Sequence, residues 1–138
     1  PDAGGSGKVS GHPVIVENAN RKLILAPLGR AGVVAFDWAS RQEVWRSPAL
    51  APVFASPALM DFGGVNSKVA VAAASGEIMV LDSSDGKLFW HARLKTGMIE
   101  ADPVIADLDR DGSQDILIAG YDFKLHAFSG AGSLGAQK

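Results

Sequence analysis

Apolar residues in this chain come in short unbroken bursts and not at helical spacing. The clearest are "KLILAPL" at 22–28, "KVAVAAA" at 68–74 and "DILIAGY" at 115–121, each bounded by Gly, Asn, Asp or Ser. Aliphatic runs of this length without a 3.6-residue period predict strands, and their continuity predicts burial on both faces. Before each lies another short apolar run opened by a proline: "GHPVIVEN" from 11, "ASPALMDF" from 55 and "ADPVIADL" from 101. After each comes a third, "GVVAFDW", "EIMVLDS" and "KLHAFSG".

The three groups are copies of one unit. Pro13, Pro57 and Pro103 stand 44 and 46 residues apart, and a period near 45 is that of a four-stranded repeat. The third strand of each unit is left through Asp37, Asp82 and Ser129, residues suited to turns. Eight positions further stand Trp45, Trp90 and Gln137. Large aromatics at one repeat position predict a packing slot between units. The predicted fold is all-β, with about three four-stranded β-propeller blades: 11–54, 55–100 and an incomplete 101–138, after a flexible linker or terminal edge at 1–10. Propellers typically have about four to eight blades. The expectation is therefore a partial propeller, or one completed by other segments or chains. The opening Pro1, in place of Met, adds the expectation of a processed or cut-down piece of a longer protein.

Composition narrows the chemistry. The 138 residues are 47% hydrophobic and 20% charged, ordinary for a folded domain. A net charge of −2 without a basic run argues against a nucleic-acid partner. With no cysteine, thiol catalysis and zinc thiolates are excluded. No apolar run reaches the roughly 18 residues of a membrane span.

The stretch "GEIMVLDSSDGKLFW" at 76–90 resembles the repeat of the pyrroloquinoline-quinone (PQQ)-like propellers, with its glycine, strand-ending Asp, Asp-Gly turn and Trp. The stretch "DPVIADLDRDGSQDILIAGYDFKLHAFSG" at 102–130 resembles the FG-GAP/VCBS repeat of integrin-type propellers. Together the resemblances span about residues 11–130. Such propellers serve as quinone dehydrogenases, scaffolds, adhesins, lyase modules and receptor ectodomains, so the fold leaves the activity open.

The main candidate site lies in the second stretch. Asp107, Asp109, Asp111 and Asp115 occupy positions 1, 3, 5 and 9 of a loop with Gly112 at position 6, the opening grammar of a calcium loop. It is not an EF-hand, because Ile118 stands where a bidentate Glu is needed and both flanks are strands. Carboxylates this close repel one another, and a hard cation removes the repulsion; the plain alternative is a solvated acidic turn that discourages edge pairing. The FG-GAP resemblance implies Ca²⁺ held by those four side chains and by the Ser113 carbonyl. Unit two retains only Asp61 of the acids in "DFGGVNSK", and unit one has "ENANRK", so one structural site is expected.

Other candidates carry less. "GAGSLG" at 130–135 has no helix to follow it, and "GGSGK" at 4–8 lacks the first glycine and the final Ser/Thr of a P-loop. His12, His91 and His126, one per unit at unmatched positions, are assigned no metal or base role. Trp45 and Trp90 read as packing, whereas Trp38, in a turn where the other units have Ser83 and Gly130, is a binding candidate.

The functional expectation is a non-catalytic segment for protein interaction, scaffolding or sensing, with one structural Ca²⁺ loop and an extracytoplasmic home: periplasmic, secreted or the ectodomain of a membrane protein. Its partners would be another protein, the remaining blades of a parent propeller or a second copy. The alternatives are part of a PQQ-dependent dehydrogenase, or a carbohydrate-binding module with Trp38 or Tyr121 stacking on a glycan.

Overall fold

A computed structural model of the chain describes residues 11–129, apart from 19, 49, 50, 62–66 and 96. The expected linker at 1–10 and the end of the third unit, with the fourth strand and "GAGSLG", lie outside the described residues.

The bursts form strands throughout. β1 (Val14–Asn18), β2 (Arg21–Pro27), β3 (Val33–Asp37) and β4 (Glu43–Arg46) make the first sheet. β5 (Ala58–Met60), β6 (Lys68–Ala72), β7 (Glu77–Asp82) and β8 (Leu88–Arg93) make the second. β9 (Val104–Ala106), β10 (Asp115–Ala119) and β11 (Leu125–Ser129) make the third. Each sheet is an antiparallel meander with neighbours in sequence order. The registers superimpose: Leu23 lies opposite Asp37, Lys68 opposite Asp82 and Asp115 opposite Ser129. β5 packs beside both β1 and β9. The first strand of each meander therefore runs nearest the common axis, as in the blades of a partial propeller.

The period-2 alternation of strand side chains decides how the blades stack. Val69, Val71, Ala73, Met79 and Leu81 of the middle sheet pack with Val16, Leu23, Leu25, Val33, Ala35 and Trp45 of the first. The alternate residues Met60, Ala70, Ala72, Ile78, Val80 and Trp90 pack with Ile116, Ile118 and Phe128 of the third. The middle blade buries both faces, which is why β6 reads as an unbroken aliphatic run. Each fully buried Val, Leu, Ile or Met side chain contributes about 1.5–3 kcal/mol, so the two interfaces are where the fold is held together.

The tryptophan slot takes a definite form. From the outer strand of blade 1, Trp45 reaches the β7–β8 turn of blade 2, where its Nε1 donates to the Ser83 carbonyl at 3.0 Å. Its indole lies flat enough on Gly86 that a Cβ there would come within 2.5 Å of Cε3. Gly86 also has a left-handed backbone, φ 73°, so glycine satisfies two demands at once. Trp90 repeats the placement toward blade 3, 4% exposed and tilted at 6.1 Å from Phe128.

A second link runs close to the axis. The residues before the three prolines are joined in series: the His12 amide donates to Ser56 Oγ (2.8 Å), and the Ser56 amide donates to Asp102 Oδ1 (2.6 Å). Blades 1 and 2 thus each present a backbone donor to a side-chain acceptor of the next blade.

Candidate functional site

The acidic loop joins β9 to β10, on the same end of the blades as the β1–β2 loop and the β3–β4 and β7–β8 turns. It is organised by its own carboxylates. Asp107 Oδ2 accepts from the Gly112 amide at 3.0 Å, Asp111 Oδ1 from Ser113 at 2.7 Å, Asp109 Oδ1 from Asp111 at 3.3 Å, and Asp115 Oδ2 from Leu108 at 3.0 Å. Left-handed backbone at Arg110 and Gly112, φ 63° and 87°, folds the loop back on itself.

Carboxylate oxygens of Asp107, Asp109 and Asp115 come within 4.8 Å of one another. Oxygens bound at the usual 2.3–2.6 Å from a calcium ion can be no more than about 5 Å apart, so this spacing and an all-oxygen donor set suit a hard cation. Asp115 is fully buried while Asp107 and Asp109 are exposed, an anchored ligand with two open ones. Asp111 is exposed and stands outside this group; Ser113 is half-buried, with its amide turned to Asp111. Of the four expected carboxylate ligands, the fold gathers three. In blade 2 the Asp61 amide donates to Gln114 of blade 3 at 2.6 Å.

Trp38 lies two blades away from the acidic loop, at the same end of the molecule. It is 48% exposed, and the Arg41 guanidinium sits 4.3 Å from its ring centroid, so one ring face already carries a cation. Tyr121 is exposed at the opposite end, its hydroxyl donating to Glu100 at 2.9 Å.

The exit from the third strand is tied in the same way in blades 1 and 2. Asp37 Oδ1 accepts the Ser40 amide and Asp82 Oδ1 the Ser84 amide, at 2.8 and 2.9 Å. Arg21 and Lys68 each donate to the other oxygen, at 2.7 and 2.9 Å. The Arg21 bond, helped by the Ser40 amide, lowers the Asp37 carboxyl to about 2.

Sequence reasoning missed two features. His12 had no repeat partner in view, yet it is the blade-1 member of the axial series with Ser56 and Asp102. His126 is buried in the β10–β11 hairpin, its Nε2 3.0 and 3.2 Å from the two Asp122 oxygens. The repeat held a signal for each: the proline register for the first, and for the second a histidine where blade 2 has Met79.

A family profile described as "Outer membrane protein assembly factor BamB" matches residues 29–120. A 1-butanol dehydrogenase (cytochrome c) from Thauera butanivorans is 34% identical over 93 residues, 67% of this chain and 12% of the relative. The crystal structure of BamB from Moraxella catarrhalis superimposes with a TM-score of 0.63 at 23% identity, covering 95% of this chain and 37% of that one. The chain thus spans well under half the length of either protein.

These matches correct the functional expectation. The expected non-catalytic role in interaction, scaffolding or sensing does not stand, because a relative of these blades is named as an alcohol dehydrogenase. Stacked meanders look alike in a catalytic ring and in a scaffolding one, so blade architecture could not have separated the two. What the profile over residues 29–120 and the superposable blades establish is that the chain belongs to the PQQ-like propeller repeat family described as outer membrane protein assembly factor BamB.

Proposed function

We propose that these blades form part of the wall of a larger PQQ-type propeller of the alcohol-dehydrogenase kind. The observation that carries the reading is the 34% identity to the butanol dehydrogenase over two blades' length. The geometry supports the larger ring. Blade 1 turns the half-buried Ile24, Ala26 and Phe36 away from blade 2, the repeat equivalents of residues with which blade 2 receives blade 1. Blade 3 turns Leu117 and Ala127 outward, the equivalents of Leu25 and Ala35. Each end of the stack therefore offers the surface that the middle blade uses on that side. Further blades, from the same polypeptide or a second copy, would cover them.

Trp45 and Trp90 are committed between blades and Trp38 carries Arg41 on one ring face, so the platform for a quinone would come from elsewhere in the ring. The acidic loop, in the manner of FG-GAP repeats, would hold Ca²⁺ through Asp107, Asp109 and Asp115, with Asp111 and the Ser113 carbonyl closing in. Bound there, the ion would neutralise the three carboxylates and stiffen the β9–β10 connection. An extracytoplasmic location agrees with the outer-membrane description of the family profile.

The reading is tested on the complete ring containing these blades, by titration with pyrroloquinoline quinone and calcium followed by dye-linked oxidation of primary alcohols. Dye reduction that needs both quinone and alcohol is the expected result. A complete ring that binds no quinone overturns it.

A further inference from the structure

We propose that the cleft between blades 2 and 3, at the end of the molecule opposite the acidic loop, binds a small organic oxyanion, a carboxylate or phosphate carried on a compact apolar body. The cleft holds about 490 Å³, with Arg93, Leu94 and Lys95 on the blade 2 side and Asp122, Lys124, Leu125 and His126 on the blade 3 side. That volume lies in the range of about 300–1,000 Å³ usual for small-ligand sites.

The distribution of charge singles this cleft out. Arg21, Lys22, Arg46, Lys68 and Lys87 each pair with a carboxylate, and Arg41 lies on Trp38. Arg93, Lys95 and Lys124, like Arg30 and Arg110, make no ion pair among the described residues, and these three line one cleft. The acids nearby are hydrogen-bonded to groups other than these three side chains. Glu77, across the strand pair from Arg93, accepts from the Ser75 hydroxyl at 3.1 Å, and Glu100 accepts from Tyr121. Asp122 is bound through both oxygens to the buried ring of His126. Burial pushes the Asp122 carboxyl up, but the His126 ring and the Lys124 amide outweigh it and hold it below the usual carboxylate range. Three cations against the single carboxylate of Asp122 leave the cleft lining net positive, which favours an anion there.

The repeat shows that the blade does not need these charges in order to fold. The same hairpin turn closes in blade 2, with the Ala73 amide on the Glu77 carbonyl and the Gly76 amide on that of Ala73. In blade 3 the Gly120 amide meets the Lys124 carbonyl and the Phe123 amide that of Gly120. Ser75, Gly76, Glu77 and Met79 have become Asp122, Phe123, Lys124 and His126, and Pro48 of blade 1 has become Arg93. Phe123 even takes the left-handed position of Gly76 at φ 59° with its side chain fully exposed, a conformation that costs a non-glycine residue about 1–2 kcal/mol. Leu94 and Leu125 supply the apolar wall for the body of the ligand.

Titration of the chain with inorganic phosphate and with benzoate, followed by NMR at the Leu94 and Leu125 methyls and at constant ionic strength with chloride, tests the proposal. At least one probe should give saturable shifts. Phosphate alone would identify the oxyanion as sufficient, and benzoate alone would make the apolar body necessary. Lys124→Glu installs the residue type that blade 2 carries at this turn, so the melting temperature should hold while the dissociation constant rises roughly tenfold or more. Arg93→Gln should weaken binding in the same direction. Absence of saturable shifts with both probes, or binding unchanged in Lys124→Glu, overturns the proposal.

Discussion

Replacing Gly86 with Ala tests how one blade is keyed to the next. The added Cβ would meet Trp45 Cε3 at 2.5 Å and Cδ2 at 2.7 Å, and the backbone there is left-handed. The second effect costs about 1–2 kcal/mol by itself. The first adds the cost of overpacking a rigid ring that is 7% exposed, about 1–3 kcal/mol. The indole cannot retreat without lengthening its 3.0 Å bond to the Ser83 carbonyl. The expected loss is therefore about 2–5 kcal/mol, read as a shift in the urea midpoint with the slope unchanged. Gly97 provides the control: its φ is 83°, and a Cβ there meets nothing within 4 Å. Gly97→Ala should lose only the backbone part, about 1–2 kcal/mol. A double-mutant cycle with Trp45→Leu separates the contributions, because the smaller side chain makes room for the methyl group. In that background Gly86→Ala should cost no more than Gly97→Ala, giving a coupling of about 1–3 kcal/mol. Equal losses at the two glycines in the parent chain, or additive losses in the cycle, would refute the account of Trp45 as a key seated on Gly86.

Acid should weaken blade 1 in a defined window. Asp37 is lowered from 3.8 to about 2 in the folded state; its contribution is complete above the unfolded value and disappears as pH falls through the folded one. Urea denaturation at pH 5, 4, 3 and 2 should show stability declining below about pH 4, with a shallower decline in Arg21→Met; identical pH profiles would exclude the Arg21 bond as the cause. If the acidic loop holds calcium, an ion concentration a hundredfold above the dissociation constant stabilises by about 2.7 kcal/mol. Calorimetry should then show a higher melting temperature in calcium than in chelator, with the difference gone in Asp109→Asn; equal melting of the parent chain in both would leave the loop as a turn.

Strand placement was legible because it depends on local pattern. Unbroken aliphatic runs, a proline at each opening and turn-forming exits recur at one period, and antiparallel meanders need little else. Legibility fell wherever one unit supplies half of a feature and the next unit the other half. Trp45 was readable as a packing residue, but its receiver is Gly86, which otherwise looks like an ordinary turn glycine. At the equivalent turn position blade 1 has Arg41, also left-handed at φ 60°. That turn therefore tolerates a side chain where no indole rests on it, and glycine becomes necessary in blade 2 because of blade 1.

The same division explains what the candidate sites revealed. The acidic loop announced itself because its carboxylates lie within nine residues, although only the fold could show that Asp107, Asp109 and Asp115 converge while Asp111 stays apart. The cationic cleft is split between Arg93–Lys95 and Asp122–His126, so no contiguous motif marks it. Comparison between units makes it readable: a turn whose hydrogen bonds are preserved has exchanged Ser75, Glu77 and Met79 for Asp122, Lys124 and His126. In a repeat protein the shared positions specify the architecture, and a charged departure on a preserved backbone marks a place where one blade differs in what it can bind. By that criterion blade 3 is the most specialised of the three, with carboxylates gathered at one end and, at the other, Lys124 facing Arg93 and Lys95 of blade 2.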